Sequence, residues 1–164
     1  MTATLSATPI TTTLGTAEQK VVGIVVQDAL ADMIDLSLIG KQAHWNVVGR
    51  HFRELHLQLD ELVDAARGFA DTIAERGAAL GISPDGRART VAESRALPEF
   101  PAGYVADREV VEAMVRTLDI AVRRMRERIE ATDTADLVTQ DLLIGITAEL
   151  EKMRWMFQAQ TAES

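Results

Sequence analysis

The sequence predicts an all-α fold, a bundle of four long helices with a short extra helix in the connection at its centre. Apolar residues recur at intervals of three and four through four segments of about 25–30 residues, which is the period of a helix packed on one face. Aromatic residues make up only 4% of a chain that is 47% hydrophobic, and this composition favours helices over a β-sandwich. No segment shows the alternation that is typical of a β-strand.

The first two helices are predicted from the signals at their ends. Thr16–Gln19 resembles a capping box and opens the first helix, which runs to about His44. Gly49 marks the turn, and the second helix follows over about residues 50–81. The predicted core stripes are Val22, Val26, Ala29, Met33, Leu36 and Gly40 in the first helix, and Leu55, Leu59, Leu62, Ala66, Phe69 and Ile73 in the second.

The second half of the chain supplies a connection and two more helices. Residues 82–106 hold three of the four prolines, and Thr90–Glu93 resembles the cap of a short helix. A third long helix is predicted over residues 107–131, and a fourth from residue 133 or 134 to about residue 160. Their stripes are Val111, Met114, Leu118, Ala121, Met125 and Ile129, then Leu142, Ile146, Leu150, Met153 and Phe157.

Composition limits the class of protein. The length of 164 residues suits one domain, predicted over residues 16–160 with tails at 1–15 and 161–164. A net charge of −8 argues against a plain electrostatic binder of nucleic acid. The absence of cysteine excludes disulfides, thiolate catalysis and Cys-ligated metal sites. Because no signal-peptide pattern or membrane-spanning run occurs, we expect a cytoplasmic protein with no membrane partner; association with the nucleoid stays open.

Four side chains of metal-ligand type share one polar side of the second helix. They are His56, Asp60, Asp71 and Glu75. With Leu55 at zero on a helical wheel, the four fall between about 100° and about 200°, while the core stripe stays within about 40° of zero. Each pair is spaced i, i+4, so its two members can converge on one ion. The alternative is an ordinary solvated helix face.

The two pairs cannot share an ion within one chain, because Asp60 and Asp71 are separated by about 16 Å along the helix axis. Antiparallel packing of this helix against its twin, with a two-fold axis near residue 65 or 66, removes the mismatch. His56 and Asp60 of one chain would then face Asp71 and Glu75 of the other. A two-fold interface makes every such site twice, here about 22 Å apart.

The remaining histidines differ in their expected roles. His44 ends the first helix, and the turn that follows could bring it back beside the second helix as an additional ligand; a packed or exposed imidazole is the alternative. We interpret His51 as a turn or surface histidine. Mixed imidazole and carboxylate ligands suit Fe(II), Mn(II) or Zn(II). Since the sequence lacks the Glu-x-x-His pair that di-iron bundles use within one chain, a site between chains is favoured.

Three motifs in this region match a known signature. They are His44-Trp45-Asn46-Val47-x-Gly49, Phe52-x-x-Leu55-His56-x-x-x-Asp60 and Asp71-x-x-Ala74-Glu75-Arg76-x-x-x-Leu80-Gly81. Together they resemble the signature of the Dps family, the mini-ferritins that protect DNA in starved bacteria, over roughly residues 17–160. In the last helix, Asp141-Leu142-Leu143-Ile144 and Glu149-x-x-Lys152-x-x-Trp155 are similar to the actinobacterial and related branches.

The resemblance implies a ferritin-like bundle that assembles from two-fold dimers into a hollow dodecamer. It implies ferroxidase centres built from His44, His56 and Asp60 of one subunit and from Asp71 and Glu75 of its neighbour. These would oxidise Fe(II) to Fe(III) with hydrogen peroxide or oxygen, and the iron would be stored as a ferric mineral. Zinc could occupy the same ligands in a crystal. The alternative function is a nucleoid or DNA-binding stress protein with secondary metal binding.

DNA binding and two other features are open in the sequence. Residues 1–19 contain no Lys or Arg, unlike the lysine-rich tail with which some family members bind DNA. Trp45 lies beside a ligand, where it would pack the site or intercept oxidising equivalents, packing being favoured. An arginine cluster on the third helix is expected to form a solvated, ion-paired face with Glu127 and Glu130. Its members are Arg123, Arg124, Arg126 and Arg128.

Acidic residues gather around the start of the last helix. They are Glu130, Asp133, Asp136 and Asp141. One interpretation is helix capping and a favourable interaction with the helix dipole. The other is an acidic pore that admits Fe(II) at a three-fold axis, with Asp141 as the best single candidate.

Overall fold

A computed structural model describes residues 9–94 and 96–161 of the chain. In chain order its helices are α1 (Thr16–Asn46), α2 (Phe52–Ala79), α3 (Ala88–Ser94), α4 (Asp107–Thr132) and α5 (Leu137–Gln158), followed by one 3₁₀ turn, Ala159–Thr161. The four long helices and the short one in the connection confirm the predicted fold. Residues 9–15 of the predicted N-terminal tail are not helical, whereas residues 1–8 and 162–164 lie outside the described part.

The bundle consists of two helix pairs, α1 with α2 and α4 with α5, which meet chiefly through α1 and α4. The predicted stripes face the core between them, and their members are buried except for a few half-buried residues. Those exceptions are Phe69, Ile129, Leu142 and Met153. On α5 the buried row is shifted, since Leu143 rather than Leu142 is fully buried. Burial of this continuous apolar core is the main force that holds the helices together.

The starts of α3 and α5 differ from the prediction, whereas α1 begins at Thr16 as predicted. The capping box suggested for α1 does not form: Gly15 occupies the N-cap position, no side chain caps it, and the Gln19 side chain donates to the Leu80 carbonyl at 2.8 Å. α3 begins two residues before Thr90, whose hydroxyl donates to the Asp85 carboxylate. α5 begins at Leu137, later than predicted, because Asp136 is the residue whose side chain accepts from a first-turn N–H. A local cap therefore sets the start of α5, a few residues after the predicted one.

A pair of very short strands departs from the prediction that the chain has none. β1 (Val47–Val48) pairs in parallel with β2 (Val105–Ala106), joining Val47 to Val105 and Val48 to Ala106. Two residues are too few to produce a recognisable alternation, which explains why the sequence did not indicate them. The pairing ties the turn after α1 to the segment that leads into α4.

A buried ion-pair cluster, Asp32 with Arg124 and Arg128, links the two helix pairs. The Asp32 carboxylate is 0% exposed and lies 2.7 Å from Arg124 Nε and 2.7 Å from Arg128 Nη2. The prediction of a solvated arginine face on this helix is therefore wrong for both residues. Asp32 draws their guanidinium groups inward from α1, a contact that the pattern of α4 alone cannot reveal.

The other two arginines of the predicted face are exposed and paired, but with different acids from those expected. Arg123 binds Asp119 on its own helix, and Arg126 binds Glu151 on α5, both at 2.5 Å.

Among residues 9–94 and 96–161, no helix combines the length and the apolar character needed to cross a membrane.

We expect Asp32→Asn to lower the free energy of unfolding by about 3 kcal/mol, because it leaves two arginines, one of them buried, without their counter-ion. Guanidinium denaturation at fixed protein concentration measures this loss. Asp28→Asn, the same change one turn earlier on the exposed surface of α1, is the matched control and should cost less than about 0.5 kcal/mol. Equal losses in the two variants would contradict a stabilising role for the buried cluster.

Candidate metal centre

The end of α1 and the first turns of α2 bring three predicted ligands together. One ligand atom from each of His44, His56 and Asp60 lies within 4.8 Å of the other two. His44 is buried, and the other two are half-buried. The approach follows from the short turn, because α1 ends at Asn46 and α2 begins six residues later at Phe52. Two imidazoles and a carboxylate at this spacing can bind one metal ion.

Reciprocal hydrogen bonds orient the two imidazoles. His44 Nδ1 lies 2.9 Å from the His56 carbonyl oxygen, and His56 Nδ1 lies 3.1 Å from the His44 carbonyl oxygen. Since a carbonyl oxygen only accepts, each Nδ1 is the donor in its bond, which leaves Nε2 as the ring nitrogen that a metal would use. The rings stack at a centroid distance of 3.6 Å, and Phe52 lies 5.0 Å from the His56 ring. This arrangement fixes the tautomer that a metal requires.

The third ligand, Asp60, forms an ion pair with Lys41. The Lys41 ammonium group donates a very short hydrogen bond to Asp60 Oδ1, and His44 Nδ1 lies 3.4 Å from the same oxygen. The Lys41 hydrogen bond is the main cause that lowers the pKa of Asp60. Asp60 is therefore an anion with a resident counter-ion, and a cation that binds here competes with the ammonium group for this carboxylate. Lys41 lies one turn before His44 on α1, a spacing that could have signalled its role.

The other predicted ligands do not join this cluster within one chain. Asp71 and Glu75 are exposed on α2 and are absent from the cluster found among the described residues. α2 is a continuous helix, so about 16 Å along its axis separates Asp60 from Asp71. His51 is exposed at the N-cap position of α2 and is not part of the cluster. Trp45 exposes 65% of its surface, so it does not pack the site from within its own chain as expected.

Asp136, one of the four pore candidates, has a structural role. Its side chain is 8% exposed, accepts from the backbone N–H of Thr139 at 3.1 Å and binds Arg76 Nη2 at 2.5 Å. Burial acts to raise the pKa of Asp136, but these bonds outweigh it and lower the value. Helix capping is therefore the interpretation that holds for this residue. The other three acids, Glu130, Asp133 and Asp141, are exposed.

Known proteins match this chain over most of its length. A model of the ferritin-like domain matches residues 26–163. The chain is 38% identical over 139 residues to the DNA protection during starvation protein of Mycolicibacterium smegmatis, which covers 82% of this chain and 74% of that protein. This chain belongs to the Dps family of ferritin-like proteins. The resemblance drawn from the motifs of α1 and α2 is thereby confirmed.

Further Dps structures share the fold over nearly the whole chain. Dps from Mycobacterium smegmatis superposes with a TM-score of 0.91 at 32% identity, covering 96% of this chain and 90% of the other. DpsA14 from Streptomyces coelicolor gives 0.90 at 31% identity, with 96% and 95% covered. The fine tangled pili major subunit of Haemophilus ducreyi is also related, at 35% identity over 146 residues, 89% of this chain and 77% of that protein.

We expect Lys41→Met to tighten the binding of Zn(II) by about two- to fivefold, because the metal no longer displaces an ammonium group from Asp60. Isothermal titration calorimetry at moderate salt measures the Kd. Lys20→Met, which removes an exposed lysine near the other end of α1, is the control and should leave the Kd unchanged. An unchanged or weaker Kd in Lys41→Met would show that the lysine does not compete with the metal.

Proposed function

We propose that this protein is a ferroxidase and iron-storage subunit that oxidises Fe(II) to Fe(III) and holds the product as a ferric mineral. The observation that carries the proposal is the half-site of His44, His56 and Asp60, with both imidazole Nε2 atoms available and a carboxylate beside them. Iron is the substrate and cargo of this site. Zinc suits the same ligands and would compete for them.

A second copy of the chain completes the half-site. Packed antiparallel across a two-fold axis, α2 of the partner presents the partner subunit's Asp71 and Glu75 to His56 and Asp60. The surface beside the half-site supports such a contact, since Trp45 and Phe52 are large, exposed apolar side chains next to the ligands. A partner subunit that packs on this surface would remove both side chains from water.

Six such dimers form a hollow dodecamer in this proposal. The exposed side of α5 offers a second apolar contact, with Leu137, Val138 and Ile144 exposed around Asp141. Three copies meeting there would surround a three-fold axis with Asp141, and Glu130 and Asp133 would add negative charge near its mouth. An acidic pore of this kind attracts Fe(II) and gives it a path inward.

The chemistry at the shared centre is a two-electron transfer. Two Fe(II) ions each lose one electron, and one hydrogen peroxide takes up both electrons and two protons to form two water molecules. Neutral imidazoles bind Fe(II), while the carboxylates favour the harder, more highly charged Fe(III) product. The residues fix the positions of the ions and leave room for the oxidant, which is the part that the protein supplies. Dioxygen is the alternative oxidant.

Protection of DNA follows from the chemistry, because the reaction removes both reagents that generate hydroxyl radicals. The relative from M. smegmatis carries the name DNA protection during starvation protein. With a net charge of −8, direct binding to DNA would need local basic patches on the particle and would weaken steeply as salt increases. We therefore favour protection by iron removal in the cytoplasm over protection by coating the nucleoid.

The double variant His56→Ala, Asp60→Ala should lose rapid Fe(II) oxidation by hydrogen peroxide, at least 100-fold in rate, because the half-site keeps only one ligand. Asp71→Ala, Glu75→Ala should lose it equally, although these residues are distant in the same chain. Stopped-flow absorbance of the ferric product in the near ultraviolet measures the rate.

Glu54→Ala, a change at an exposed acid of the first turn of α2, is the activity control. All variants should sediment as the wild-type particle, about 215 kDa for twelve chains of 17.9 kDa. Oxidation at the wild-type rate in either double variant would rule out the shared centre, and a particle of dimer mass would rule out the storage shell.

A further inference from the structure

We propose that Asp107, at the start of α4, is the positioning residue of the metal centre. It holds the turn between α1 and α2 and so sets the spacing of His44 and His56. The inference rests on the proposed metal binding by these histidines. It assigns a role in the site to the other helix pair, which supplies none of the proposed ligands.

One carboxylate serves two helix starts. Asp107 Oδ2 accepts the backbone N–H of His51 at 2.9 Å, and Asp107 Oδ1 accepts the backbone N–H of Arg108 at 2.9 Å. Neither α2 nor α4 has a capping side chain at its own N-cap position. Asp107 therefore caps α2 from outside the α1–α2 pair, where the helix dipole favours a negative charge. The His51 hydrogen bond is the main cause that holds the pKa of Asp107 below its usual value.

The turn of residues 47–51 is held at both of its ends by the segment 105–107. The β1–β2 pairing fixes its first two residues against Val105 and Ala106, and Asp107 fixes its last residue, His51. Val105, Ala106 and Asp107 lead into α4, so the turn cannot shift along α2 without breaking these contacts with the other helix pair. The register of the end of α1 against the start of α2 is thereby set.

The histidine pair depends on that register. Each imidazole donates to the backbone carbonyl of the other histidine, twelve residues away along the chain. A shift of the turn would change the lengths and angles of both bonds. Because the Nδ1 bonds orient the rings, a loose turn would misdirect the two Nε2 atoms, and affinity for a metal would fall.

Gly49 gives an independent indication that the carboxylate is closely fitted to the turn. It has a φ of 139°, which favours glycine, and a Cβ at this position would lie 2.5 Å from Asp107 Oδ2. Gly49→Ala therefore displaces the carboxylate from the turn without removing it. It offers a second way to break the same contact.

Co(II) binding to the assembled protein tests the inference, because the visible absorption of Co(II) reports its ligand geometry. We expect Asp107→Ala to weaken Co(II) binding about tenfold or more and to alter the spectrum. Asp107→Asn should fall between Asp107→Ala and wild type, since its amide oxygen can still accept the His51 N–H. Gly49→Ala should reproduce the loss. Asp85→Asn, at a turn carboxylate that accepts the Arg87 N–H before α3, is the matched control and should bind as wild type.

The outcomes separate the inference from the proposed function. If wild type binds Co(II) and His56→Ala does not, the site stands, and only the Asp107 and Gly49 variants decide the inference. Unchanged Kd and spectrum in Asp107→Ala and Gly49→Ala, with or without a lower melting temperature, overturn it. If wild type and His56→Ala bind Co(II) equally, the site assignment fails and the inference fails with it.

Discussion

The continuity of α2 as a single helix is the constraint on which the proposed chemistry depends. An uninterrupted helix over Phe52–Ala79 keeps residues on one side in fixed positions along its axis. The pair His56 and Asp60 and the pair Asp71 and Glu75 consequently cannot meet within one chain. A protein with this helix either leaves both pairs as solvated surface or completes them with a second copy. In the proposed function a second copy completes both pairs, so catalysis requires assembly of at least a dimer.

The rest of the fold holds the first half of that site in place. α1 supplies His44 and Lys41, α2 supplies His56 and Asp60, and the turn between them is fastened to the start of α4. The buried cluster around Asp32 and the Arg76–Asp136 pair join α1 and α2 to α4 and α5 at other levels of the bundle. The apolar core contributes most of the stability, and these polar ties select one alignment of the two helix pairs.

The sequence was most informative where the determining contacts are local. Helical periodicity located the four long helices and their buried stripes, and the short turn after His44 indicated that this residue returns to the side of His56. It was least informative where distant residues decide. The sequence indicates a surface position for Arg128, but the residue is buried because it pairs with Asp32 of another helix. It offers Asp136 as a pore acid, but this residue pairs with Arg76 of α2. A two-residue strand such as β1 leaves no periodic signal at all.

Sharing of the centre between subunits is tested most directly by mixing two inactive proteins, one lacking His56 and Asp60 and the other lacking Asp71 and Glu75. In a mixed dimer one centre loses all four of these ligands and the other keeps every one. Particles formed by co-expression of both chains should therefore recover about a quarter of the wild-type Fe(II) oxidation, since half of the dimers are mixed and each has one intact centre. Co-assembled particles as inactive as the separate parents would contradict the shared centre.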